Sequence, residues 1–122
     1  MNPKKILMIE DDQFIRELYE RQLKNAGFLI ETTPSGKEGL ELLYKNFYDL
    51  LLLDLNIPDF SGFQILEELK KKSIPFLKII ILSNVDQDEF VNKGLALGAS
   101  AFIIKSTYTP DKVVSEVKSI LD

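Results

Sequence analysis

The chain has 122 residues, with 15 Lys and Arg against 19 Asp and Glu, a net charge of −4, and no cysteine, histidine or tryptophan. Those absences exclude disulfides, Cys/His zinc centres and Ser-His-Asp or Cys-His catalysis, so any chemistry falls to carboxylates, lysines, hydroxyls or a metal. The length suits one domain burying roughly 65% of its unfolded surface, and the acidic pI of about 4.9 argues against nucleic-acid binding.

The first strand is read in Ile6–Ile9, an apolar run without alternation that suits a parallel strand covered on both faces. It runs into Glu10, Asp11 and Asp12. Phe14, Ile15, Leu18, Tyr19 and Leu23 then mark a helix, with Asp12 as N-cap and Gly27 just past its end. Phe28–Thr33 alternates and is more polar, as suits a strand at a sheet edge. Ser35 and Glu38 have capping-box spacing, and Leu40, Leu42 and Leu43 follow on a second helix. Leu50–Leu53 is the third strand. Phe63, Ile65, Leu66 and Leu69 mark the third helix, and Ile79–Leu82 the fourth strand. Phe90, Val91, Leu95 and Leu97 mark a fourth helix stopped by Gly98, and Ala101–Ile104 is the fifth strand. Thr109 and Pro110 read as N-cap and first residue of a fifth helix carrying Val113, Val114, Val117, Ile120 and Leu121.

Regular alternation of this kind predicts an α/β fold: (βα)5, doubly wound, flavodoxin-like, with a five-stranded parallel sheet in the order 2-1-3-4-5 and helices on both faces. The longest apolar runs fall far short of the ~20 residues of a membrane helix. The N-terminus does not read as a signal peptide, so a cytoplasmic protein is expected.

Ligands of such sheets bind beyond the carboxyl ends of the strands, at the switch in strand order. Here that is the crevice between strands 1 and 3. Glu10, Asp11 and Asp54 would meet there from adjacent strands roughly 5 Å apart. Crowded carboxylates call for a hard divalent cation; Mg2+ fits best, with the Asn56 backbone carbonyl as a further oxygen. Lys105, two strands from Asp54, can reach it across about 10 Å, and Ser83 lies on the strand between. Metal, ammonium and hydroxyl around one carboxylate suit an Asp54 that accepts a phosphoryl group. Taken singly, each residue has a plainer reading: acids at strand ends cap helices, Lys105 is a surface lysine and Ser83 a turn residue. The joint pattern carries the argument. Glu67, Glu68, Lys70, Lys71 and Lys72 read as a solvated helix end. Gly36-Lys37 is no phosphate loop, because position 31 is glutamate.

Over nearly its whole length the chain resembles a receiver domain of two-component response regulators. The matching segments are Ile6-Leu7-Met8-Ile9-Glu10-Asp11-Asp12, Asp54 through Gly62, Ile81-Leu82-Ser83, and Gly98 through Lys105. The resemblance implies a single receiver domain over residues 1–122, with no output domain attached. It implies that Asp54 is the phosphorylated aspartate and that Glu10, Asp11 and the Asn56 carbonyl hold Mg2+. It makes Ser83 the switch hydroxyl, Phe102 the switch aromatic and Lys105 the matching lysine. The implied phosphodonor is a histidine kinase or histidine phosphotransfer protein. The readout is to a downstream protein or a homodimer through the helix 4–strand 5–helix 5 face, without membrane or nucleic-acid contact by this domain. Such a domain is a regulatory phosphoacceptor rather than an enzyme, limited to self-catalysed transfer and slow autodephosphorylation.

The sequence departs from the family at two places. Ser106 stands where a proline usually follows the lysine, so a trans peptide is expected there, a non-proline cis bond costing about 3–4 kcal/mol. Ser100 and Ala101 stand where DNA-binding members often carry paired acids. Phe102 is expected to rotate inward, behind strand 4, when Ser83 moves toward a phosphoryl group, with Ile104 as its inward neighbour. Two other readings compete with this one. A receiver-like interaction module could work without phosphorylation. An aspartate-nucleophile phosphatase would need a second Asp where Asn56 stands.

Overall fold

The apolar runs become strands because five such segments bury best as a sheet covered on both sides. In the computed structural model, which describes residues 2–84 and 87–122, they are β1 (Lys5–Ile9), β2 (Leu29–Thr33), β3 (Leu50–Asp54), β4 (Lys78–Ser83) and β5 (Ala101–Ile104). The strands are all parallel in the order β2-β1-β3-β4-β5, as expected. Between and after them run α1 (Gln13–Asn25), α2 (Gly36–Lys45), α3 (Gly62–Lys72), α4 (Asp88–Ala96) and α5 (Pro110–Leu121).

Side-chain parity divides the core in two. Leu7, Ile9, Leu51, Leu53, Ile79 and Ile81 face Leu43 of α2 and Ile65, Leu66 and Leu69 of α3. Ile6, Met8, Leu50, Leu52, Ile80, Leu82 and Ile103 face Tyr19 and Leu23 of α1 and Val113 and Val117 of α5. Each such side chain withdrawn from water contributes about 1.5–3 kcal/mol, which is why the central strands tolerate no polar residue until their ends.

The local signals hold in most places. Asp12 caps α1, with Ile15 N donating to its Oδ1 at 3.0 Å. Thr109 caps α5, with Pro110 in its first turn. Ser35 caps α2 through Glu38 N at 3.1 Å, but its own hydroxyl donates to Asp59 at 2.8 Å. The reciprocal capping box lies instead at Ser61 and Gln64, at the start of α3.

Burial departs from the apolar pattern at three places. Phe14 shares the helical period of α1 yet is 75% exposed. On α4 the side against the sheet is not the apolar stripe but Gly94, the helix's one buried residue. A Cβ there would lie 2.6 Å from Ile81 Cδ1 and 3.2 Å from the Phe102 ring, so glycine lets the helix close on β4 and β5. On β5 the sealed side chain is Ile103, not Ile104, which is only half-buried. The Lys105–Ser106 peptide is trans, and residues Lys105–Thr107 turn as a short 3-10 helix.

Candidate functional site

Parallel pairing puts the C-terminal ends of all five strands along one edge of the sheet. Glu10 follows β1, Asp54 ends β3, Ser83 ends β4 and Lys105 follows β5. Together with Asp11, Asn56 and Asn84 they line one crevice, walled by Ile15, Phe63 and Phe90. The structure therefore brings together six of the sequence-predicted residues: Glu10, Asp11, Asp54, Asn56, Ser83 and Lys105. Phe102 is not among the lining residues. It is half-buried on the α3–α4 side, paired in register with Ile81.

The acids are crowded. Oxygens of Glu10, Asp11 and Asp54 all lie within 4.8 Å of one another. Glu10 is fully buried, Asp54 6% exposed and Asp11 open to solvent. Lys105 Nζ sits 2.8 Å from Glu10 Oε1 and 3.3 Å from Asp54 Oδ2, so it bridges the two buried carboxylates rather than pairing with Asp54 alone. Asp54 Oδ1 accepts the Asn56 N–H at 3.1 Å.

Three carboxyl groups share one ammonium, so they cannot all ionise freely. Burial, then the hydrogen bond with Asp54, push the Glu10 carboxyl up to about 8, against the pull of Lys105. Burial also raises Asp54, but the Glu10 hydrogen bond, the Asn56 N–H and Lys105 outweigh it and hold Asp54 below the usual carboxylate range. Burial pulls Lys105 down, yet Glu10 and Asp54 hold its ammonium above the usual lysine value.

Glu10 Oε2 is sealed from solvent with no hydrogen-bond partner. Such an orphaned oxygen beside two other carboxylates is costly unless a proton or a cation faces it. The donor set is all oxygen, which fits a hard divalent cation.

Two supporting residues escaped the sequence reading. Arg16, one turn into α1, donates from Nη1 to Glu10 O at 2.9 Å and Asp11 O at 3.4 Å, fastening the acidic backbone. Asp59 accepts from Gly36 N, Lys37 N and Ser35 Oγ, tying the β3–α3 loop to α2. The spacing of Arg16 from the acids was a usable signal; nothing local marks Asp59.

Comparison with known proteins bears on the family and the fold. Residues 6–118 match the family model of the response regulator receiver domain. The chain is 35% identical over 117 residues to the cell cycle response regulator CtrA of Brucella ovis, covering 96% of this chain and 50% of that protein. The chain thus spans about half the length of the curated relatives it matches. A CheY-like receiver domain protein from Methanospirillum hungatei superposes with a TM-score of 0.91 at 30% identity, covering 99% of this chain and 95% of the other. Vibrio cholerae chemotaxis protein CheY4 gives 0.89 at 26% identity, with 98% and 99% covered. The chain belongs to the receiver domain family of two-component response regulators.

Proposed function

We propose that the domain is a phosphorylation-dependent signalling switch in which Asp54 accepts a phosphoryl group from a histidine kinase or histidine phosphotransfer protein. The observation that carries this reading is the setting of Asp54. Its ionised carboxylate stands at the crevice with Lys105 Nζ 3.3 Å from one oxygen and the Asn56 N–H 3.1 Å from the other. An Asp54 oxygen attacks phosphorus, the P–N bond of the donor breaks, and its electron pair returns to the imidazole. Lys105 and Ser83 balance the charge on the phosphoryl oxygens. Residues 1–122 contain no histidine, so the donor imidazole lies outside them.

Glu10, Asp11, Asp54 and the Asn56 carbonyl are the residues that would hold Mg2+. When bound, Mg2+ supplies charge neutralisation at the phosphoryl oxygens. The sealed Glu10 oxygen supports that assignment.

The domain is then a regulatory phosphoacceptor with only self-catalysed transfer and slow autodephosphorylation. Its partner, a downstream protein or a second copy, would read the edge formed by α4, β5 and α5. A cytoplasmic setting without nucleic-acid contact by this domain suits the reading, and no described helix is long and apolar enough to cross a membrane.

Labelling with a small phosphodonor tests it. Wild type is modified with Mg2+ present, and Asp54→Asn, which keeps shape but lacks the nucleophilic oxygen, is not. Equal labelling of the two, or labelling undiminished by chelator, refutes the proposal.

A further inference from the structure

The corner between β2 and α2 offers no carboxylate to the site, yet it is bonded to both segments that do. On one side Glu10 N donates to Thr33 O at 3.0 Å, fixing the first acid against the end of β2. Ser35 N donates to Thr33 Oγ1 at 3.2 Å and closes the corner. On the other side Asp59, midway along the β3–α3 loop, lays its carboxylate across the first turn of α2. Its Oδ1 accepts from Gly36 N at 2.9 Å, and its Oδ2 accepts from Ser35 Oγ at 2.8 Å and Lys37 N at 3.2 Å. The approach is close: a Cβ on Gly36 would lie 2.6 Å from the Phe60 carbonyl oxygen. Those donors, Gly36 N–H first and then the Ser35 hydroxyl, hold the Asp59 carboxyl below its usual range.

A plainer reading is that Asp59 completes the cap of α2, since helix starts leave amides unpaired. Ser35 already supplies a side-chain cap from its own segment. Asp59 comes from 23 residues away and from the loop that carries Asn56. The root of that loop is tied by Gly62 N to Leu55 O at 3.1 Å, and Ile57 is buried. The stretch that carries Asp59 and Phe60 is held to α2 by the Asp59 carboxylate.

We infer that Asp59 is a positioning residue for the metal: by clamping the β3–α3 loop to the β2–α2 corner, it sets the Asn56 carbonyl at a fixed distance from Glu10 and Asp54. This rests on the reading that Asn56 and the acids hold Mg2+. The β2–α2 corner then acts as a common anchor for the two ligand-bearing segments, which the pairing of β1 with β3 sets side by side. Binding gains because the Asn56 oxygen needs no ordering when the cation arrives.

The test is Mg2+ titration by calorimetry of wild type, Asp59→Ala, Asp59→Asn and a control, Asp49→Ala. Asp49 accepts Lys5 N at 2.8 Å at the opposite end of the sheet, so its loss lowers stability without touching the site. Asp59→Ala is expected to weaken Mg2+ by about tenfold, the low end of what removing an outer partner of a metal ligand does. Asp59→Asn, which keeps an acceptor for Gly36 N, recovers most of it. Without metal, hydrogen exchange at Gly36, Lys37 and Asn56 rises in Asp59→Ala only. Unchanged affinity in Asp59→Ala, or equal weakening in Asp49→Ala, overturns the positioning role and leaves the proposed function standing. Wild type that takes up no Mg2+ overturns both.

Discussion

Lys105 Nζ lies 2.8 Å from Glu10 Oε1, nearer than to any oxygen of Asp54, although Asp54 is the carboxylate it would serve in phosphoryl transfer. The ammonium is thus the shared counter-charge of two buried acids. Removing one partner of a buried pair leaves the others uncompensated. Lys105→Met is expected to lower unfolding free energy by about 1–3 kcal/mol near neutral pH, a loss eased because Glu10 can take a proton instead. Denaturant unfolding at pH 9 and pH 6 measures this: the deficit should be larger at pH 9, where Glu10 is ionised, than at pH 6. An equal deficit at both would mean that Lys105 stabilises by packing alone.

The pH dependence of the metal-free domain follows from Glu10. Its carboxyl titrates near 4.5 when unfolded and near about 8 when folded. A raised folded value means the folded state binds the extra proton, so this stability is full below 4.5 and drains away as pH rises toward 8. Asp54 is lowered, so its contribution is lost only on acidification below its ordinary 3.8. Lys105 is raised above 10.5 and changes nothing in that window. Stability should therefore fall between pH 5 and pH 8 by about 2–4 kcal/mol, under a linkage ceiling of about 5 kcal/mol. Glu10→Gln should flatten the curve, and a wild type as stable at pH 8 as at pH 5 contradicts the assignment. Added Mg2+ should stabilise more at pH 8 than at pH 5.5, because binding must displace the Glu10 proton.

The acid with the open carboxylate gives a separate check. Asp11 is exposed, so Asp11→Ala costs the fold little and removes one negative charge from a crowded crevice. Mg2+ affinity is expected to drop by at least about tenfold while metal-free thermal stability holds or rises. Unchanged affinity by titration would take Asp11 out of the ligand set.

Much of this was legible in the sequence because parallel strands buried on both faces read as unbroken apolar runs, and Ile6–Ile9, Leu50–Leu53 and Ala101–Ile104 do so almost to the residue. The residues of the site follow, since in this fold they are whatever ends the strands. What stayed hidden depends on contacts between distant segments. Periodicity on α4 pointed to its large apolar side chains, whereas the tightest approach is made by Gly94, which periodicity cannot see. Asp59 drew no reading of its own because its partners lie 22 to 24 positions away. Lys105 could be assigned to the site, but not its preference for Glu10, which depends on how deeply each acid is buried.

Gly62 tests how tightly the β3–α3 loop must close. A Cβ at this buried position would lie 2.7 Å from Leu55 Cα and 2.9 Å from Asp54 O, both backbone atoms that cannot swing aside. Gly62→Ala must displace the chain directly after Asp54. A loss of about 1–3 kcal/mol is expected, as for overpacking elsewhere. Mg2+ affinity should fall with it, because Leu55 and Asn56 move together. Near-wild-type melting and affinity would show the loop to be softer than its packing implies.

Occupation of Asp54 is expected to reach the surface through Ser83 and Phe102. Ser83 lies on β4 and Phe102 on the neighbouring edge strand β5, and register pairs Ile81 with Phe102 and Ser83 with Ile104. Ser83 is 3% exposed at the crevice, whereas Phe102 is half-buried against α4 beside Gly94. A phosphoryl group on Asp54 adds strong acceptors one strand from Ser83, and the hydroxyl moves toward them to donate a charge-assisted bond. That movement opens room behind β4. Completing the burial of the Phe102 ring there is worth about 1–2 kcal/mol, enough to shift a two-state population about tenfold. The α4–β5–α5 edge then changes shape without large backbone motion. NMR with a beryllofluoride mimic tests the coupling. Wild type should shift resonances around α4 and β5, Ser83→Ala should confine the shifts to the Asp54 crevice, and Phe102→Leu should weaken them in between. A full distant response in Ser83→Ala would break the link between hydroxyl and ring.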